Sequence, residues 1–309
     1  MADQSTACAS ALTCFNGKVA GLKGDPIDGK ATKVMTMVWI VVLIGLLSLA
    51  VFSHRYAWWR PHLNWNRPRI LMYHMVREHI PGAKFNKLRV TPEQFEQQLK
   101  WLSEQGFHFV TMHQLCANWG KHPDKTVAIT FDDGYEDNLL NALPILKKYQ
   151  ASATIYVVVD RHDRDWSSYK KAHHNSGELA RETKLSDSQI QTLIDSGLIE
   201  IASHTLTHAN LANVDEPQRL QEMHESRHLL QQQTGQAINS FAYPFGIYTD
   251  ADIEAARQAG YLTAVTTIEG IDELLPKPDF LQLKRIKVSG KDNLLAFKCR
   301  IRTGQRGLT

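Results

Sequence analysis

Between residues 69 and 300, short apolar runs alternate with amphipathic helical patterns, and this alternation restricts the fold more than any other feature. RILMYH at 69–74, TVAITF at 126–131, ATIYVVV at 153–159, LIEIAS at 198–203, NSFAYP at 239–244, YLTAVT at 261–266 and FLQLKRIKV at 280–288 read as strands. PEQFEQQLKWLSEQG at 92–106 reads as a helix, with Thr91 as N-cap, Gly106 as its stop, and Phe95, Leu99 and Leu102 on one stripe. Further helices are predicted at 138–150, where Pro144 makes an irregularity, around SDSQIQTLIDSG, near 217–233, at DADIEAARQAG and at NLLAFKCR. Strands separated by helices pair in parallel, because a helix crossover returns the chain to the same end of the sheet. About seven strands with five or six helices predict an α/β fold, a distorted (β/α) barrel closed or nearly closed on itself.

Ahead of this region, residues 34–52, VMTMVWIVVLIGLLSLAVF, form a 19-residue run without charge. At about 1.5 Å per residue such a run crosses a bilayer core. Arg55, Trp58, Trp59 and Arg60 follow it as interfacial anchors, a role extended to Trp65. The expected organisation is a disordered tail over 1–33, one transmembrane helix over 34–53, a juxtamembrane linker over 54–68, the barrel domain over 69–300 and a flexible C-terminus over 301–309. Lys18, Lys23, Lys30 and Lys33 on one side balance Arg55, Arg60, Arg67 and Arg69 on the other, so charge does not orient the segment. No small-x-small pattern follows it cleanly, which favours an uncleaved anchor; Met35 and Met37 are alternative starts that would leave a shorter, signal-like segment.

Composition removes several function classes. The 35 basic and 32 acidic side chains are mixed along the chain for a net charge of +3, and without a basic stripe no nucleic-acid partner is expected. Cys8, Cys14, Cys116 and Cys299 are too scattered for a disulfide framework or a thiolate zinc site. Cys8 and Cys14 are expected to be free, and the other two pair only if the fold brings them together.

Parallel barrels place their chemistry at the carboxyl ends of the strands. His74, Asp132, Asp133, His204 and Tyr243 each fall at or just past such an end. In SHTLTH, a helical turn after the strand would set His204 and His208 about 5–6 Å apart at Cβ, near enough to grip one ion. In TFDDG, alternating side-chain direction lets one carboxylate bind the ion while its neighbour faces the water that attacks. Taken alone, the histidine pair also reads as coincidence and the acid pair as a strand-end Asx turn.

Together, in this order and inside this strand pattern, TFDDG and SHTLTH resemble the first two motifs of the polysaccharide deacetylase family, the NodB-homology carbohydrate esterases, over about residues 69–300. The resemblance implies Asp132 as general base and Asp133, His204 and His208 as ligands of a divalent metal. FAYPFG at 241–246 resembles the third motif, which walls the groove and implies substrate contacts from Tyr243, Pro244 and Phe245. The arginine usual in that motif, which orients the base, is replaced by Ala242, and the late Asp-Trp and Leu-x-His motifs are absent where the chain reads LKRIKVSG. FAYPFG and the early YH of ILMYHMV resemble the poly-β-1,6-N-acetylglucosamine N-deacetylase branch. His74 is therefore the candidate acid in place of the absent late histidine; a structural histidine is the alternative reading.

The resemblance implies metal-dependent hydrolysis of the N-acetyl amide of N-acetylglucosamine units in a surface or exopolysaccharide, with a backbone N–H near Tyr243 assisting at the oxyanion. Peptidoglycan, chitin-like glycan or a lipid-linked amino sugar would offer the same amide, and a glycan-binding pseudoenzyme is the non-catalytic alternative. Two imidazoles and one carboxylate suit zinc, with cobalt, nickel and manganese also compatible. The partners implied are the glycan, the cell membrane through a single anchor, and a polysaccharide synthesis or export complex. Because such polymers lie outside the cell, the domain is placed on the extracytoplasmic or periplasmic side of the cytoplasmic (inner) membrane. A polar stretch at 161–184, carrying His162, Asp163, Asp165, Trp166, His173 and His174, is expected to rim the site, with Trp166 a candidate sugar platform. Glu136 and Asp137 are read as acids favouring the start of the next helix.

Overall fold

The computed structural model describes residues 29–166 and 176–307, so most of the expected tail, with Cys8 and Cys14, and also His173 and His174 lie outside the described residues. The chain divides into a unit ending at Val51 and a body from Phe52 onward. Helix α1, Gly29–Tyr56, has 28 residues and is therefore about 42 Å long. Within Thr32–Tyr56, 18 consecutive residues have a mean hydropathy of 2.7 with none of them buried, and the stretch is long and apolar enough to cross a membrane.

The body runs β1 (Arg69–Tyr73), β2 (Met75–Val76), β3 (Arg89–Val90), α2 (Pro92–Glu104), β4 (His108–Val110), α3 (Met112–Ala117), β5 (Thr126–Phe131) and α4 (Leu143–Lys148). It continues through β6 (Ala153–Val157), α5 (Asp187–Asp195), β7 (Ile199–Ser203), α6 (Glu216–Thr234), β8 (Ser240–Ala242), α7 (Asp250–Gln258), β9 (Thr263–Glu269), β10 (Leu283–Lys287) and α8 (Leu294–Thr303). Seven strands close a ring in the order β1-β10-β9-β8-β7-β6-β5, and β5 pairs back onto β1. Every pairing in the ring is parallel. An eighth strand, β4, pairs with β5 from Thr126 to Ala128, below the stretch of the same edge that β6 takes from Ile129 onward. Its three residues, HFV, are too few to show a period, which is why the sequence pattern missed it.

Local sequence explains the helix limits. Thr91 with Gln94 and Ser186 with Gln189 form reciprocal capping boxes at the starts of α2 and α5. Phe95, Leu99 and Leu102 are buried on α2 as their spacing predicts. Pro144 sits in the first turn of α4, and the segment before it, Asn138–Ala142, winds as a π-helix.

Strand alternation builds two cores. Leu71, Ile129, Ile155, Ile201, Phe241 and Ile286 face the helices, while Ile70, Ala128, Tyr156, Ala202, Ala242, Val265 and Leu283 fill the barrel. Met112 and Leu115 of α3 join the inner cluster. Helix α3 contacts both β5 and β9, with Met112 N–H donating to Thr154 Oγ1 and His113 N–H to Glu200. Since α3 directly follows β4, beside the start of β5, it plugs the amino end of the barrel and leaves the carboxyl end for chemistry.

Leu63 and Trp65, from the stretch expected as a linker, pack against the outer core. Trp65 meets the Phe107 ring edge-on at 5.5 Å, so it is a packing residue rather than an interfacial anchor, whereas Trp58 and Trp59 are exposed. Arg69 ties this stretch down through the carbonyls of Leu63, Asn64 and Ile301. Helix α8 continues through buried Ile301 to Thr303 before Gly304 ends it. Cys116 and Cys299 are both free.

Candidate metal centre

Four strands deliver the site, and alternation decides which side chains enter the barrel. On β1, Ile70 faces inward, so Met72 and, one step past the strand, His74 share that face. On β5 the inward set is Ala128, Thr130 and Asp132; on β7 it is Ala202 and His204. Asp133 would point the other way in an extended chain, but its φ of 75° turns it back. The helical turn expected for SHTLTH does not form. Residues 204–208 are a loop in which Thr205 (φ 70°) and His208 (φ 59°) adopt the left-handed region.

Left-handed backbone is costly for a non-glycine residue, above all for β-branched threonine, and it persists only where surrounding bonds dictate it. Buried Glu222 on α6 supplies those bonds: its carboxylate accepts from Thr207 N at 2.9 Å and Thr207 Oγ1 at 2.5 Å, and its carbonyl accepts from Leu206 N at 3.1 Å. Val159 N and Asp160 N donate to the carbonyls of Thr205 and Leu206 from the opposite side.

His204 Nε2 and His208 Nε2 each lie 3.3 Å from Asp133 Oδ1. The three ligand atoms fall within 4.8 Å of one another, forming a divalent-metal site. The donor set fits the ion. His204 Nδ1–H donates to the Ala242 carbonyl at 2.7 Å, which fixes the tautomer that presents Nε2 as a lone pair. Burial lowers the His208 imidazole despite Asp133; burial also acts on His204, where the Asp133 and Asp132 carboxylates prevail and raise it. Asp133 itself is held well below the usual carboxylate range: burial opposes ionisation, but the two imidazoles outweigh it. Metal uptake must therefore displace a proton at low pH. At 100 times its Kd, a divalent ion is expected to stabilise the fold by about 2.7 kcal/mol. A thermal melt that rises with zinc in the parent but not in His208→Ala would demonstrate this.

Trp166 is buried and lies against His208 with ring centroids 4.7 Å apart, and the Lys184 ammonium sits 4.0 Å from the Trp166 ring. It is thus a buttress for a ligand rather than an open sugar platform. Phe245 (φ 58°) meets His208 on another side at 4.4 Å. Pro244 is buried and precedes that turn, and Gly246 closes it where any Cβ would lie 1.8 Å from Thr267 Oγ1. Tyr243 projects outward from β8: its phenol donates to the Leu281 carbonyl at 3.0 Å and its N–H to the Val265 carbonyl at 3.3 Å. It forms wall, and its own N–H is already engaged.

An arginine does reach Asp132. Arg285, on the inward face of β10 with Leu283, grips Asp132 with both ends of its guanidinium, Nη1–Oδ1 at 2.6 Å and Nη2–Oδ2 at 2.7 Å. Nη1 also donates to Thr130 Oγ1 and Nε to the Thr266 carbonyl. Burial alone would raise the Asp132 carboxyl; the adjacent Arg285 charge and its hydrogen bonds reverse this and hold it below its usual range. An arginine from a different strand thus reaches Asp132 through the same interior, whereas the third motif carries Ala242. The LKRIK alternation, with Arg285 in phase with apolar Leu283, was the signal that could have found it.

These groups line a cavity of about 440 Å³ at the carboxyl end of the barrel, bordered by His74, Asp132, Asp133, His204, His208, Tyr243 and Phe245. Residues 120–264 match the family model described as polysaccharide deacetylase. A Bacillus subtilis protein described as "Putative polysaccharide deacetylase YxkH" is 34% identical over 204 residues, 65% of this chain and 64% of that protein. The chain is similar to the polysaccharide deacetylase family across residues 120–264. It thus spans less than two thirds of that Bacillus subtilis relative's length. The poly-beta-1,6-N-acetyl-D-glucosamine N-deacetylase of Staphylococcus epidermidis is 28% identical over 244 residues, 72% of this chain and 80% of that one. A solved polysaccharide deacetylase from Bacillus cereus superposes with a TM-score of 0.65 at 28% identity, covering 76% of this chain and 69% of its own.

One acid near the site departs from its sequence reading. Asp137 precedes the π-helix but makes no capping bond to it; its carboxylate accepts from Val76 N at 2.9 Å and Asn138 Nδ2 at 3.0 Å. Burial pushes its carboxyl up from 3.8 to about 6. A folded-state pKa above the unfolded one means that stability is lost as pH rises from about 4 through 6, by about 3 kcal/mol in all. Asp137→Asn should remove that loss: in urea melts, the variant's stability relative to the parent should be about 3 kcal/mol greater at pH 7.5 than at pH 4.

Proposed function

We propose that this chain hydrolyses the N-acetyl amide of an N-acetylhexosamine in a cell-surface or exopolysaccharide, releasing acetate. The observation that carries the reading is the Asp132 carboxylate, ionised and clamped by Arg285 on the floor of the same cavity as the three-ligand site. A divalent ion held by Asp133, His204 and His208 would supply Lewis acidity, activating water and polarising the carbonyl. Asp132 would accept the proton of the attacking water, and the Arg285 grip keeps it in the ionised form that this task needs. His74, half-exposed at the end of β1 on the same cavity, would donate the proton that the leaving nitrogen takes. Phe245 and the Tyr243 backbone would wall the sugar, with Pro244 setting the turn that presents them.

A binding protein without catalysis has no use for an ionised carboxylate beside the metal site, which favours the enzyme over the pseudoenzyme reading. Zinc best suits two imidazoles and a carboxylate. Residues 34–53 would anchor the chain in the cytoplasmic membrane with the domain of residues 69–300 outside it. The similarity to the Staphylococcus epidermidis protein supports a poly-β-1,6-linked N-acetylglucosamine substrate.

The test is acetate release from β-1,6- and β-1,4-linked N-acetylglucosamine oligomers by the full chain in a nonionic detergent, metal-stripped and then reloaded with zinc. Release that needs the metal supports the reading, and its absence from every oligomer with metal bound refutes it. His74→Ala should lower the rate about 10²-fold or more; an unaltered rate removes His74 from the acid role.

A further inference from the structure

The mouth of the cavity carries a charge that deacetylation of a neutral glycan does not need. Lys84 and Lys87, on the loop before β3, and Lys287, at the end of β10, border it. Lys84 and Lys87 are exposed and Lys287 is half-buried. Lys287 lies on the inward face of its strand, two residues beyond Arg285, and so stands over the floor of the site.

Nearby acids do not neutralise these lysines. Glu178 spends its carboxylate on Arg89 and on the backbone N–H groups of Lys84 and Phe85. Glu182 is paired with Arg77 and Arg89. Glu269, the acid whose charge interacts with Lys287, lies 3.6 Å from Arg300. Among the described residues bordering the cavity the only acids are Asp132 and Asp133, the first matched by Arg285 and the second by the metal site. The rim is therefore positive when the floor is neutral.

We infer that the natural substrate carries an acidic group, a phosphate ester or a carboxylate, next to the N-acetylhexosamine whose amide enters the cavity. The inference rests on the deacetylase reading of the site and narrows its substrate class. A neutral polymer gains nothing from the lysines, and each deacetylation leaves a protonated amine that they repel. An anionic glycan is attracted before reaction, and its new ammonium group helps to expel the product. One lysine about 7 Å from an anion in water contributes about threefold in affinity, so three at graded distances give about tenfold.

The experiment compares an N-acetylglucosamine trisaccharide with the same trisaccharide bearing a 6-phosphate ester or a neighbouring glucuronate. Affinity is measured by calorimetry on zinc-loaded Asp132→Asn full chain, and acetate release on the parent. About tenfold tighter binding of an anionic probe, shrinking in 0.5 M salt and lost in Lys84→Gln/Lys87→Gln/Lys287→Gln but kept in the matching arginine triple variant, supports the inference. The probe preferred would separate a phosphate-bearing source from a uronate-bearing one. Equal affinity for neutral and anionic probes overturns it, even if both release acetate and the deacetylase reading stands. An anionic preference in binding with no acetate released from any probe sustains the anionic site and overturns the deacetylase reading instead.

Discussion

Asp132→Asn is expected to release acetate 10²- to 10⁴-fold more slowly than the parent while zinc still binds, because the change removes the carboxylate proposed as proton acceptor and leaves Asp133, His204 and His208 in place. Calorimetric titration with zinc beside an acetate assay separates the two effects. A rate within a few-fold of the parent would exclude Asp132 as the base. The substitution also leaves the Arg285 guanidinium buried opposite a neutral amide, so a lower melting temperature is expected alongside the lost rate.

Arg285→Met is expected to be the more damaging change to the fold. Arg285 is fully buried, as is the carboxylate that it grips, and removing the cation strands an ion in the barrel at a cost of about 3–5 kcal/mol. The lost clamp also allows the Asp132 carboxyl to rise toward the range that burial favours, so the acid limb of the rate profile should move to higher pH. The double variant Asp132→Asn/Arg285→Met decides between an ion-pair effect and a packing effect. If the pair is the cause, the double variant is more stable than Arg285→Met alone; if the two losses simply add, the pair contributes little.

The residues that line the cavity floor were legible because each stands within a residue or a short loop of a recognisable strand end, where parallel barrels collect their chemistry. Arg285 was not, since its partner is 153 residues away, and the LKRIK alternation puts it on the inward face without saying which carboxylate it meets there. Glu222 was hidden for the same reason: on a helix whose polar residues look like solvent-facing ones, it is buried and holds the loop between two ligands. Trp166 offered an aromatic ring on a polar stretch, and only its neighbours distinguish a buttress from a platform.

The sequence by itself determined the seven barrel strands, the six helices α2 and α4 to α8, the parallel barrel and the Asp133, His204 and His208 cluster, because hydrophobic period and strand-end position are local properties of the chain. Tertiary structure decided how those residues are held. Closure of β5 onto β1 brings Arg285 of β10 across the interior to Asp132 of β5. The left-handed backbone at Asp133, Thr205 and His208 is costly in isolation, and no local pattern predicts it. Around Thr205 it is sustained by bonds from α6 and from the loop after β6, partners that exist only once the barrel has formed.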